Sequence, residues 1–317
     1  MKKRILALWV SDYSSSGSEE RFLRPFNRIG YEVDQVDIGI PGREKKIIEF
    51  LNSNEYEYVF HVPYRNQVRF ELLNHISDFY GVKTIAWNGD DEWIIGSDPD
   101  YFRKIALSHD FNITTWEPAV GEYYNLETNI YLGQWGYSES DWKYKEVEKD
   151  IDVYFCGGRT KERDIYLRAM FDAGIAADVD GPEYNFHMDK SMGNRVGRLS
   201  LKEMVNRYRR AKIGINFTSG NKEGYKYSQV KARNFEIPAV GTFQLTEFSP
   251  DLERYFNNDD LDTFKSPEEL IRKIKYWLKD DGRRHKISMS GHEKNKNYTY
   301  EKILSGAFET IGELINV

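Results

Sequence analysis

The sequence predicts an α/β fold made of two parallel-sheet domains, and three observations carry that reading. At 317 residues the chain is larger than one hydrophobic core usually organises, since single cores stop growing at about 250 to 300 residues. Short apolar runs alternate with amphipathic stretches throughout, the pattern left by βαβ units whose crossover helices cover a parallel sheet. Between Tyr137 and Asp150 that rhythm stops: Ser138, Glu139, Ser140 and Asp141 lead into alternating Lys and Glu, and apolar character resumes at Ile151. A junction between domains belongs there. The expected division is residues 1–140, residues 150–300 and a closing helix at 300–317.

In the first half the expected strands are Ile5 to Val10, Glu32 to Val36, Tyr58 to Val62, Thr84 to Trp87, Ile113 to Trp116 and Ile130 to Leu132. Helices are expected between them at Ser18 to Ile29, Arg43 to Asn52, Val68 to Tyr80, Pro99 to His109 and Val120 to Leu126. Gly30 and Gly81 stand just past two of these helices, where a left-handed residue closes the last turn. The result is a Rossmann-like layer.

The second half repeats the rhythm. Strands are expected at Ile151 to Cys156, Ala177 to Val179, Lys212 to Asn216 and Thr242 to Leu245. Helices are expected at Lys161 to Ala173, Leu201 to Arg209, Ser228 to Phe235 and Pro267 to Leu278. Ser200 with Glu203 and Ser266 with Glu269 have the spacing of capping boxes. From Tyr300 to Ile315, Ile303, Leu304, Ala307, Phe308, Ile311, Leu314 and Ile315 share one helical face. That helix either closes its own domain or crosses back to the first.

Composition narrows the function classes. A formal net charge of −6 argues against a protein that works by neutralising a nucleic-acid backbone over a broad surface. The single cysteine, Cys156, excludes an internal disulfide and a cysteine-rich zinc site. The basic start runs into an apolar strand too short for a signal core or a membrane span, so the expected location is the cytoplasm. Aromatic residues reach 15% of the chain, and indole and phenol rings suit sugar-handling surfaces, although core packing is the commoner use of any one ring.

Two segments of the second half could carry chemistry. Cys156-Gly157-Gly158-Arg159-Thr160-Lys161 follows a strand and opens a helix, so backbone N–H groups, the helix N-terminus and the charges of Arg159, Lys161 and Arg163 converge on one point. This is either a diphosphate cradle or a tight turn with solvated basic residues. Lys231 to Phe243 is a helix ending in an acid, then Pro238 and Gly241, then a β-rich run. It puts Glu236 near the carboxyl edge of a parallel sheet, where open α/β folds bind ligands. A carboxylate there can accept both hydroxyls of a ribose, or it is a structural acid near a helix end.

In the first half Trp87-Asn88-Gly89-Asp90-Asp91-Glu92-Trp93 directly follows a strand. Asp90 or Asp91 is a candidate to deprotonate or orient an acceptor hydroxyl, the alternative being an acidic loop that caps the next helix. His61, near a strand end and just before Tyr64-Arg65, is a candidate base or a structural histidine. Ser11 to Ser18 is a candidate cleft loop, and Lys222, Lys226 and Tyr227 form a Gly-flanked candidate lid over phosphate. Paired acids also suit Mg²⁺, but no second matching cluster accompanies them, so no metal is expected.

From about Asp152 to Tyr300 the chain resembles the C-terminal domain of the group 1 glycosyltransferases, and specifically the CgeB/YkvP spore-protein-like branch. The resemblance lies in the glycine turn with Arg159, in Leu199 to Val205 running into Ala211 to Phe217, in Ala232 to Gly241, in Phe264 to Leu270, and in Asn297-Tyr298-Thr299-Tyr300. The W-x-x-D-D segment at Trp87 resembles the N-terminal region of the same branch. The resemblance implies a GT-B fold, two Rossmann-like domains facing each other across a cleft, with transfer of a hexose-type sugar from a UDP- or GDP-linked donor to a carbohydrate, protein or small-molecule hydroxyl. It implies no cofactor beyond that donor substrate, and basic side chains and helix dipoles in place of a metal. Carried over residue by residue, Gly158 and Arg159 would face the diphosphate; Gly157, Lys161, Lys226, Tyr227 and Arg233 are further expected donor-binding residues. Asn216 would line the donor side and Glu236 would hold the ribose. Many retaining relatives carry a second acid where this chain has Ser228, with Glu223 off register. Two other readings stand beside this one: a non-catalytic binding or coat component, and a transferase acting on nucleic-acid bases.

Overall fold

The computed structural model describes residues 3–10, 19–64, 67–181, 199–222 and 224–315. The chain divides into two compact units, one of Met1–Trp135 with Tyr300–Val317 and one of Gly136–Thr299.

The first unit is built on six parallel strands, β1 (Arg4–Trp9), β2 (Glu32–Asp37), β3 (Tyr58–His61), β4 (Lys83–Asn88), β5 (Phe111–Thr114) and β6 (Ile130–Leu132), in the order β2-β1-β3-β4-β5-β6. Its helices are α1 (Arg24–Arg28), α2 (Arg43–Ser53), α3 (Phe70–Tyr80), α4 (Asp91–Ser97), α5 (Pro99–Leu107) and α6 (Ala119–Asn125). Strand β1 is apolar at almost every position because both its faces are covered. Ile5, Ala7 and Trp9 point into one core with Phe60, Ile85 and Trp87, while Leu6 and Leu8 point into another under α2 and α3. The C-terminal helix, Tyr300–Ile315, lays Leu304, Ala307, Phe308 and Ile311 into the first of these cores.

The expected helix over Ser18 to Ile29 is instead a π-helical turn at Glu19–Leu23 followed by the short α1. Pro25 explains the break: it has no N–H to donate to the preceding turn. Asp91 to Ser97, which no expected helix included, is α4. Gly81 closes α3 with a φ of 66°, a conformation that costs glycine little.

The second unit has a parallel sheet of β7 (Ile151–Cys156), β8 (Ala177–Asp180), β9 (Ala211–Asn216), β12 (Phe243–Glu247) and β13 (Asp262–Phe264), in the order β13-β12-β9-β7-β8. A separate antiparallel hairpin joins β10 (Ser219–Lys222) to β11 (Tyr225–Ser228). Helices α7 (Lys161–Asp172), α8 (Leu201–Arg210), α9 (Ala232–Ala239), α10 (Pro267–Trp277) and α11 (Asp281–Asn295) complete it. Val153, Phe155, Ile213, Ile215, Phe243 and Leu245 form its core with Leu167, Met170, Leu270 and Ile274.

Ser228 ends a strand rather than opening a helix, and α9 starts only at Ala232, where the Asn234 carboxamide oxygen accepts from the Lys231 N–H at 2.9 Å. The polar stretch after Tyr137 runs along the second unit: Trp142 is buried against Tyr208, and the Lys143 carbonyl accepts from Arg209 at 2.6 and 3.0 Å.

Candidate functional site

In the second unit, sheet order places β7 between β8 and β9, so the chain order reverses at β7 and its carboxyl end is a topological switch point, where open α/β sheets bind ligands. The residues at that end are Cys156, the two glycines and Arg159, followed by Thr160, whose hydroxyl accepts from the Arg163 N–H at 3.2 Å and caps α7. Asn216 ends the neighbouring strand, buried, with its amide donating to Asn234 Oδ1 at 3.0 Å and to Thr246 Oγ1 at 3.3 Å. This ties the end of β9 to the start of α9, and so fixes the helix that carries Arg233 and Glu236.

Glu236 is 4% exposed, and its Oε2 lies 2.6 Å from Arg233 Nη1. Among the described residues only Oε2 of this carboxylate takes part in a hydrogen bond, from Arg233. The Arg233 guanidinium sits 5.3 Å from the centres of both the Trp142 and Tyr208 rings. Burial works against its charge, but the Glu236 carboxylate, with Tyr208, Cys156 and Tyr154 around it, outweighs burial and holds the pKa above that of an ordinary arginine. The Tyr208 hydroxyl accepts from the Cys156 N–H at 3.2 Å, and both Arg233 and Glu236 act electrostatically on the Cys156 thiol. Arg233 and Glu236 therefore form an ion pair, the acid buried and the guanidinium 19% exposed, close enough to act electrostatically on the strand end that carries the glycine turn.

The turn itself differs in part from expectation. The Gly157 N–H donates to the Asp180 carbonyl at 3.0 Å, so it serves the sheet edge rather than an anion. The glycine is needed for space, since a Cβ would come within 2.9 Å of the Phe155 ring. Gly158 is exposed with open space where a Cβ would stand, and its carbonyl accepts from Arg163 at 2.6 Å. Arg159 is paired with Asp164 at 2.7 Å, and Lys161 is exposed on the first turn of α7. Lys226 and Tyr227 lie on β11, where the Tyr227 ring meets Lys231 Nζ at 5.1 Å. That hairpin is anchored by Glu247, whose carboxylate accepts from the Thr218 and Ser219 N–H groups at 3.1 and 2.9 Å.

In the first unit a cavity of about 270 Å³ opens at the carboxyl ends of β1, β3 and β4, the point where that sheet's order also reverses. Trp9, Trp87, Trp135, Arg21, Asn88 and Asp90 are among its walls.

Residues 163–306 match the family model described as Glycosyl transferase-like. No curated protein matches the chain in sequence. Solved structures do match in fold. Sucrose-phosphate synthase from Thermosynechococcus elongatus superposes with a TM-score of 0.70 at 13% identity, over 99% of this chain and 100% of that one. HepE of Anabaena, in complex with UDP and glucose, gives 0.70 at 12% identity over 98% and 100%. T4 phage BGT, in complex with its UDP-glucose substrate, gives 0.62 at 13% identity over 97% and 98%. The fold is GT-B. Identities this low carry the architecture and leave the chemistry to the residues.

Within this GT-B chain the glycine turn and Arg159 follow β7, Asn216 ends the neighbouring β9 and is tied to the helix of Arg233 and Glu236, and Lys226 and Tyr227 lie on the separate β10-β11 hairpin. The three expected catalytic residues do not gather. Asp90 is exposed on the rim of the cavity. Asp91 is 1% exposed and points under α6, where the Tyr123 hydroxyl donates to it at 3.0 Å, and burial pushes its carboxyl up to about 8 against hydrogen bonds from Thr114 and Tyr123. His61 is buried too, with Nδ1 3.0 Å from His109 Nε2, and burial together with that second ring pulls it well below the usual histidine range. Asp91 thus faces a buried tyrosine and His61 a second buried imidazole, with His61 Nε2 buried and making no hydrogen bond among the described residues. Ser11 to Ser18, Arg65, Glu223 and the Lys222 side chain lie outside the described residues. Among the described residues no group of three His, Cys, Asp or Glu side chains is placed to hold a metal, and no helix is long and apolar enough to cross a membrane. Sequence reasoning missed Trp9 and Trp135 as cavity walls, because each reads as an ordinary core aromatic until the sheet's order is known.

Proposed function

We propose that this chain transfers a hexose-type sugar from a nucleoside diphosphate donor, UDP-linked by preference, to an acceptor hydroxyl, and that it is of the CgeB/YkvP-like branch. The observation that carries the reading is the Arg233–Glu236 pair beside the glycine turn. A ribose presents two adjacent hydroxyl donors, and a carboxylate held in place by Arg233 with its second oxygen unused by the described residues suits them. Arg159, Lys161 and the N-terminus of α7 are the groups for the diphosphate, with Lys226 and Tyr227 closing over it. The Glycosyl transferase-like match and the UDP and UDP-glucose in the structures similar in fold support this donor class.

In the proposed reaction the acceptor oxygen forms a bond to the anomeric carbon while the bond from that carbon to the diphosphate oxygen breaks. The electron pair leaves on the diphosphate, where basic side chains and the helix dipole take up the charge. The acceptor proton passes to Asp90.

UDP or UDP-glucose at a hundredfold its Kd is expected to add about 2.7 kcal/mol of apparent stability. Arg159→Ala is expected to reduce that gain. A panel of nucleotide sugars that leaves the melting temperature unchanged defeats the reading. Two observations favour a second one, a sugar-nucleotide-binding module without turnover: Ser228 stands where many relatives have an acid, and Arg159 is already engaged by Asp164. Donor hydrolysis and transfer, measured with and without acceptor, separate the two.

A further inference from the structure

We propose that the cavity in the first unit is a subsite for a single pyranose ring, and that the acceptor of this enzyme is therefore a carbohydrate hydroxyl; the word acceptor, though not the sugar site itself, rests on the glycosyltransferase reading above. The deciding residue is Asn88. It is 4% exposed and lines the cavity. Its amide orientation follows from its neighbours. The Asn112 Nδ2 donates to the Ala106 carbonyl at 3.0 Å, so Asn112 Oδ1 can only accept. The group of Asn88 that meets it at 3.1 Å must then be the amide nitrogen, whose second N–H goes to the Tyr123 hydroxyl at 2.7 Å. Tyr123 in turn spends its own proton on Asp91. Both N–H groups of Asn88 are thereby consumed, and among the described residues no hydrogen bond reaches Oδ1, which is left to the cavity.

A carbonyl oxygen left open at a cavity wall selects for a ligand that donates. Asp90 adds a second acceptor at the rim, since it stands at the N-cap of α4 yet makes no capping hydrogen bond with its side chain. Three indoles, of Trp9, Trp87 and Trp135, stand among apolar walls that include Phe22, Ile94 and Ile105; Trp87 and Trp135 meet edge to face at 5.9 Å, and Arg21 lies 4.9 Å over the Trp135 ring. A ligand that fits has apolar faces for the rings and hydroxyl donors around its edge, which describes a pyranose. An aliphatic chain would leave Asn88 Oδ1 unsatisfied, which costs affinity. The volume, about 270 Å³, lies below the roughly 300 Å³ at which pockets for drug-sized ligands begin, so one ring fits and a nucleoside diphosphate does not.

The test is a tryptophan-fluorescence titration of the full chain with the methyl glycosides of glucose, galactose, mannose and N-acetylglucosamine, with uridine, adenosine and hexanol as comparison ligands. UDP-induced thermal stabilisation is measured in parallel. At least one glycoside is expected to give a saturable change. Asp90→Asn is expected to weaken it by about tenfold, the loss of a hydrogen bond to a charged acceptor. Gly89→Ala is expected to abolish it, because a Cβ there would lie 2.4 Å from Trp135 Cζ2 and drive the ring out of position. Both variants should keep the UDP response. Saturation by a nucleoside or by hexanol but by no glycoside overturns the inference, as does equal glycoside binding in the parent and both variants. Absence of any glycoside response with the UDP response intact overturns it as well and leaves the donor reading standing. Glycoside binding without any UDP response supports the sugar site and defeats the donor reading alone.

Discussion

Replacing Glu236 by leucine separates what this carboxylate does for the fold from what it does for a ligand. The Arg233 and Glu236 side chains are 19% and 5% exposed and 2.6 Å apart, so removing the acid strands a guanidinium in a nearly dry site. Breaking a buried pair in this way costs about 3 to 5 kcal/mol. The Trp142 and Tyr208 rings remain beside the cation, and cation–π contacts of about 0.5 to 2 kcal/mol place the expected loss near the lower end. For a unit of this size each kcal/mol moves the midpoint by about 2 to 4 °C, so a drop of roughly 6 to 12 °C is expected by calorimetry. Removing the stranded charge as well, with Arg233→Met added to Glu236→Leu, should restore most of the stability, because a well-packed apolar pair replaces a buried ion pair at little cost. That double variant is the informative protein. It should be folded and yet gain nothing from UDP. A single variant within about 1 kcal/mol of the parent would refute the burial argument, and a double variant still stabilised by UDP would refute the ribose assignment.

Three further outcomes follow from the geometry. Asp91, held up at about 8 by burial against an ordinary value of 3.8, keeps a proton in the folded state that the unfolded chain releases. Its stabilising contribution is fully present below pH 3.8 and is lost as pH rises through 8, so Asp91→Asn should flatten that slope and melt higher than the parent at pH 8. Burial lowers His109 to about 4 and His61 well below its ordinary 6.5, so the folded state binds fewer protons than the unfolded one in acid. The first unit should therefore lose stability as pH falls from 6.5 towards 4, followed by far-UV circular dichroism, and less steeply in a His61→Phe, His109→Phe variant. In Gly291→Ala the added Cβ would lie 2.3 Å from the Asp260 carbonyl oxygen, and backbone cannot step aside cheaply, so a loss of about 1 to 3 kcal/mol is expected in urea denaturation.

How much of this was legible in the sequence depended on whether a residue's partner lay nearby along the chain or was brought in by the fold. Strand β7 and the start of α7 were readable, because an apolar run, two glycines and a Thr cap are local signals. Helix α10 was readable from Ser266 and Glu269 for the same reason. Helix α11 was not. The side chains it buries include Arg284, Ser288, His292 and Asn295, a helical spacing written in polar residues that hydropathy cannot register. They are tolerated inside because the fold supplies acceptors: Asn295 donates to the Phe235 carbonyl at 2.7 Å and His292 meets the Pro238 carbonyl at 3.1 Å. The hairpin β10-β11 was missed because its Gly, Asn, Lys and Ser read as loop, and Glu247, the residue that anchors it, lies outside the hairpin.

The sequence by itself determined the α/β class and most of the elements, because alternating burial and capping are written within a few residues of where they act. It also supplied the donor-side candidates, since a glycine turn after a strand and an acid at a helix end are short motifs. Only the tertiary structure decided among the acids and histidines of the first half. Asp90, Asp91 and His61 are equally polar as letters, yet Asp91 lies against Tyr123 and His61 against His109, while Asp90 is left at a cavity. The physical reason is that the worth of a titratable group is set by its solvation and by partners distant in sequence. Those partners exist only once the strands have taken their order.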